Sequence, residues 1–117
     1  MKVIKKYNKV FMSYVIGRFS KKVGDKYQHF PIDNWQRDIT LAKKFGFNGI
    51  EWIISDYSNP IFNKFFLGQI KKELNKKAIK ISSIALDLIM DEPLHKINQL
   101  NLYWLIEKIK LIQSEIK

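Results

Sequence analysis

The sequence predicts an α/β fold with parallel strands. Three short apolar runs rich in β-branched and aromatic residues recur along the chain, at 10–16, 48–54 and 78–88. Each is followed by a segment whose apolar residues return every three to four positions. The first two runs carry few charges, as strands buried on both faces do. The order is therefore β-α-β-α-β-α. Strands joined through helices in this way lie parallel, with right-handed crossovers.

The elements follow in order. VFMSYVI at 10–16 reads as the first strand and stops at Gly17-Arg18. Residues 20–31 are polar, with a Gly and a Pro, and read as a loop. Asp33 stands as a helix N-cap with Gln36 as its capping-box partner. Trp35, Ile39, Ala42 and Phe45 then fall at helical spacing, and Gly46 supplies the stop. NGIEWII at 48–54 is the second strand, with Glu51 as its one charge. Asn59-Pro60 opens a second helix, with Ile61, Phe65, Phe66, Ile70 and Leu74 as its apolar face. Lys71, Lys72, Lys76 and Lys77 load its last turns, where the helix dipole favours cations. AIKISSIALDL at 78–88 is the third strand, and 89–95 reads as a loop. Ile97, Leu100, Trp104, Leu105, Leu111 and Ile112 mark a long last helix reaching about Glu115.

Composition limits the chemistry. The chain has 117 residues and a hydrophobic fraction of 46%, which suits one folded domain. It has no cysteine, so disulfides, thiolate metal sites and thiol nucleophiles are excluded. No apolar run reaches the ~18–20 residues that cross a bilayer. MKVIKKYNK at the start is not followed by an uninterrupted apolar stretch with a cleavage site, so no secretory signal is expected. The expectation is a cytoplasmic protein without membrane contact. The formal net charge is +10, from 21 basic and 11 acidic side chains. Arginine occurs only at 18 and 37. Bidentate contacts to nucleic acid favour arginine, so the lysine excess reads as a solvated surface rather than a nucleic-acid interface. A small basic nucleic-acid-binding or interaction module is the alternative reading.

Parallel α/β folds bind ligands at the C-terminal ends of their strands. Three residues there carry chemistry. Arg18 follows the first strand, where it would clamp a phosphate or carboxylate or serve as an ordinary loop cation. Glu51 lies between Ile50 and Trp52, and a buried carboxylate needs a partner. It would either pair with Arg18 across the strands, the favoured reading, or face a ligand. The two roles are compatible. Asp87 closes the third strand, with Asp91, Glu92 and His95 after it. It would bind a hydroxyl or cap the turn. His29 and His95 lack partners at metal spacing and read as surface residues. Trp35, Trp52 and Trp104 read as core. No catalytic triad, P-loop or dinucleotide fingerprint is present.

Several short motifs occur in a specific order. They are Gly17-Arg18-Phe19, His29-Phe30-Pro31, Trp35, the passage GFNGIEW at 46–52, Ser82 through Asp87, and Glu92-Pro93-Leu94. In this order they resemble the N-terminal part of the sugar phosphate isomerase/epimerase family, the xylose isomerase-like TIM barrels. Asn48 stands where that family's passage has Asp, and Ile16 where a polar Gln is common. The resemblance implies a partial (β/α)8 barrel over 1–117, about three βα units of parallel strands. A full barrel needs at least ~200 residues. It further implies Arg18, Glu51 and Asp87 as substrate-side residues for a sugar or sugar phosphate. The intact family moves a proton next to a carbonyl with a divalent metal. The resemblance puts the metal ligands and the catalytic glutamates on later strands, so no residue of this chain is catalytic or a metal ligand. The chain alone is expected to be inactive. A three-unit sheet has an open edge and face. Three origins are consistent with it: a piece of a longer protein, self-association or a partner that completes the sheet, and a decayed gene product.

Overall fold

The computed structural model describes residues 10–22, 24, 28–91 and 93–116. The first nine residues and Glu92, both named above, lie outside the described residues. The fold is mixed α/β. It has a three-stranded parallel sheet in the order β1-β2-β3, formed by β1 (Ser13–Val15), β2 (Gly49–Ile53) and β3 (Lys80–Ala85). The helices are α1 (Trp35–Lys44), α2 (Lys64–Lys77), a short α3 (Leu88–Asp91) and α4 (Gln99–Ile116). A 3-10 turn at Pro60–Phe62 precedes α2. No helix among the described residues is long and apolar enough to cross a membrane.

The regular part of β1 is shorter than the apolar run that predicts it. The backbone ladder nevertheless extends beyond it at both ends. The Met12 carbonyl accepts from the Asn48 and Gly49 N–H groups, and the Ile16 N–H donates to the Glu51 carbonyl at 3.1 Å. The Gly17 turn then ends pairing, with φ at +102°.

Tyr14, Ile50 and Ile81 align in one row of the sheet, and Trp52 aligns with Ile84. This face meets the helices. The Trp52 ring packs against Phe30 at 5.0 Å and Trp35 at 6.2 Å between centroids. Ile39, Ile50, Trp52 and Ile70 are fully buried in this layer. Each large apolar side chain buried this way contributes about 1.5–3 kcal/mol. The opposite face carries the row Val15, Glu51, Ser83, in which Ser83 is exposed. Ser82 is an extra residue in β3 at a register shift opposite Ile50 and Glu51. Its hydroxyl donates to the Ile50 carbonyl at 3.1 Å, satisfying the backbone oxygen where the ladder is interrupted.

Several boundaries differ from expectation. Asn34, not Asp33, occupies the α1 N-cap position, and its side chain makes no cap bond. The second helix splits. Asn59 caps the 3-10 turn, and Asn63 restarts the chain as the cap of α2, accepting from Phe65 N–H at 2.9 Å and Phe66 N–H at 3.3 Å. The restart rotates the apolar face, so Leu67, Ile70 and Leu74 are buried while Phe65 is 71% exposed. The third strand ends at Ala85, short of the expected Leu88, and Leu88 joins 89–91, expected as loop, in α3. On α4, Leu105 and Ile112 are buried, but Leu100 and Trp104 are exposed rather than core.

Candidate functional site at the strand ends

The C-terminal end of the sheet is organised by a residue that the sequence reading passed over. Asp38, on the buried face of α1, is fully enclosed. Its carboxylate accepts from the Gly17 N–H at 3.0 Å, the Phe19 N–H at 3.0 Å and the Ser20 hydroxyl at 2.8 Å. These charge-assisted bonds hold the turn after β1 against α1. Asp38 lies three residues after Trp35 and four before Ala42. A carboxylate on an apolar stripe was therefore the available signal.

Tyr14, on β1, is buried close to Asp38. Burial foremost, then the neighbouring carboxylate, holds the Tyr14 phenol well above its ordinary ionisation range. Gly17 is required at the turn. A Cβ there would come within 2.9 Å of the His29 carbonyl oxygen, in a backbone conformation that L side chains rarely adopt.

Fixing the Gly17 turn places Arg18 on the surface. The Arg18 guanidinium donates from Nη2 to the Gln28 Oε1 at 3.4 Å. The same Gln28 carboxamide donates from Nε2 to the Asp87 Oδ2 at 2.9 Å. Arg18 and Asp87, expected at the ends of β1 and β3, are thus joined through one side chain. Because β2 separates those strands, the chain between β1 and α1 must pass over the strand ends to make this bridge. Gln28 sits in a polar loop, and no feature of its sequence neighbourhood marks it.

Glu51 does not form the expected ion pair with Arg18. It sits half-buried on the sheet face opposite the helices, in the row with Val15 and Ser83. The physical reason is the Gly17 turn. It takes the chain out of the strand before Arg18, whose partner is then Gln28. His95 is exposed as expected. His29 is only half-exposed, and its Nδ1 is buried without a hydrogen-bond partner.

The second loop is pinned from beneath. Asn59 is buried and accepts from Trp52 Nε1–H and from Ile61 N–H, each at 3.1 Å. Its amide donates to the Ile53 carbonyl at 2.9 Å. The Ser55 hydroxyl accepts from the Phe30 N–H at 3.1 Å and ties the two strand-end loops together.

Chemically, the strand ends offer one guanidinium, one carboxamide and one carboxylate in a connected set. That set can bind an anionic group and a hydroxyl on one small ligand. Among the described residues, no group of three or more His, Asp or Glu could hold a metal ion. Comparison with protein-family models, curated proteins and solved structures found no match.

Proposed function

We propose that this chain supplies the first three βα units of a barrel of the sugar phosphate isomerase/epimerase kind. In this reading it contributes substrate-side contacts and no catalytic group. The observation that supports it is the joining of Arg18 and Asp87 by Gln28 at the C-terminal end of a parallel sheet in sequential order. That is the end at which such barrels bind ligands. Arg18 takes the phosphate, Asp87 accepts from a sugar hydroxyl, and Glu51 faces the barrel interior. The acid–base pair and the divalent metal of the reaction belong to strands that complete the sheet.

The test is titration of the purified chain with ribulose 5-phosphate, followed by amide NMR shifts. The expected result is perturbation at Gly17, Phe19 and Asp87 that Arg18→Ala weakens about tenfold, the loss of one charge-assisted contact. No turnover is expected with or without added divalent metal. Perturbation indifferent to Arg18→Ala would overturn the assignment of substrate contacts. Metal-dependent turnover by the chain alone would overturn its lack of a catalytic group.

A further inference from the structure

The two ends of the sheet differ in charge. Each helix runs back antiparallel to the strand before it, so α1 and α2 finish at the end where the strands begin. Ser13, Gly49 and Lys80 align there in one row. Lys43 and Lys44 close α1, Lys71, Lys72, Lys76 and Lys77 lie on the last two turns of α2, and Lys80 opens β3. All but Lys77 are exposed. The acids at this end are Glu73, which pairs with Lys77 at 2.7 Å, and Glu115 near the end of α4. All five aspartates among the described residues, at 33, 38, 56, 87 and 91, lie at the opposite end, where they offset cations such as Arg18 and Lys64. We propose that the lysine end binds the phosphate backbone of single-stranded nucleic acid without reading its sequence.

Placement carries this further than count does. A lysine excess spread evenly would be a solvated surface, but lysines gathered at one end make a directed positive field. The helix dipole accounts for lysines in a last turn and not for Lys71, Lys72 or Lys80. Lys72 and Lys76 stand one turn apart on one face of α2, about 6 Å along its axis. Lysine meets phosphate as a point charge, and such contacts position a strand without specifying its bases. The lack of arginine at this end fits that mode.

Phe45 points to a strand with accessible bases. It follows Lys43 and Lys44 directly and is 61% exposed. One face of its ring stacks on Phe19 at 5.5 Å between centroids, with 3° between the planes. Phe19 is in turn held edge-on by Tyr14 and Phe47. The ring is thus a backed platform beside cations, the pairing that single-strand sites use. This end lies opposite the Arg18–Gln28–Asp87 set, so the proposal does not rest on the barrel reading.

The test is fluorescence anisotropy of a labelled oligothymidylate titrated with the full chain across a salt series. About five phosphate contacts predict a log–log salt slope of about −3.5. Combining Lys71→Gln, Lys72→Gln and Lys76→Gln should bring it about 2 closer to zero. Combining Lys21→Gln, Lys64→Gln and Lys96→Gln removes the same charge from the other end and should leave it unchanged. Every one of these lysines is exposed, so both variants keep the fold. Phe45→Ala should weaken oligothymidylate binding about fivefold or more and spare an abasic oligomer of equal length. No saturable change at low salt, equal slope changes from the two lysine sets, or a Phe45→Ala effect that does not distinguish the two oligomers would overturn the proposal. Binding to phosphatidylserine vesicles that oligothymidylate cannot displace would overturn it too, by assigning this end to a membrane surface.

Discussion

Asp38→Asn isolates the carboxylate that organises the strand ends. The wild-type group is fully enclosed and receives two backbone N–H donors and one hydroxyl. Asparagine keeps the volume but offers one oxygen. One orientation preserves the bonds from Phe19 and Ser20 and aims an NH₂ at the Gly17 N–H. The other preserves only the Gly17 bond. Even the better orientation leaves a buried donor unsatisfied and removes charge assistance from the remaining bonds. Hydrogen bonds to charged groups contribute about 1.5–3 kcal/mol and an orphaned buried donor costs ~1–3 kcal/mol, so a net loss of about 3 kcal/mol is expected. With a urea m-value of about 1.5 kcal/mol/M, the unfolding midpoint falls by ~2 M. Urea titration followed by circular dichroism reads the shift, with exposed Asp33→Asn as the neutral control. A loss below ~0.5 kcal/mol, the size of an ordinary surface substitution, would refute the reasoning.

Three further outcomes follow from neighbouring geometry. The Tyr14 phenol ionises higher in the folded chain than in the unfolded one. Its contribution is complete below the unfolded value of about 10 and is lost above it, at up to ~1.4 kcal/mol per pH unit. Tyr14→Phe should therefore flatten the alkaline limb of a stability–pH curve, and an unchanged limb would count against the burial argument. Gly17→Ala should cost about 2 kcal/mol or more through positive φ and the His29 carbonyl. Gly68→Ala, in open space on α2, should gain ~0.5–1 kcal/mol, and thermal melts of the pair give the contrast. Asn59→Ala strands the Trp52 indole N–H and the Ile53 carbonyl, for an expected loss of about 2–4 kcal/mol in denaturant titration.

Periodicity carried the architecture. The three strands and the three helices α1, α2 and α4 were legible because parallel strands and one-sided helices leave simple apolar patterns. The burial of Trp52 followed from its place in an apolar strand. The site was legible only in part. Position along the chain marked Arg18 and Asp87 as strand-end residues, but their joining depends on how a nineteen-residue connection between Val15 and Trp35 folds back, which has no period to read. Pairing Glu51 with Arg18 requires the side chain just past the strand end to turn back over the sheet, and the Gly17 turn directs Arg18 to Gln28 instead. Phe65 and Phe66 were assigned to the core because Asn59-Pro60 is a strong helix start. The stronger local start is Asn63, whose oxygen meets two N–H groups. Asp38 has no periodic signal of its own, because the stripe of Trp35, Ile39 and Ala42 keeps its spacing with one carboxylate inside it.

The inserted Ser82 sets the phase of everything after it in β3. Side chains along a strand alternate with a period of two, so one additional residue exchanges odd for even positions. With Ser82 present, Ile84 shares a row with Trp52 and Ser83 shares one with Glu51. A regular ladder that paired Ser82 instead of skipping it would match Ser82 to Glu51 and Ser83 to Trp52, and would turn Ile84 toward the open face. The bulge at Ser82 thus works as a single-residue frame correction. It lets Ile81 and Ile84, an odd number of residues apart, face the helices together.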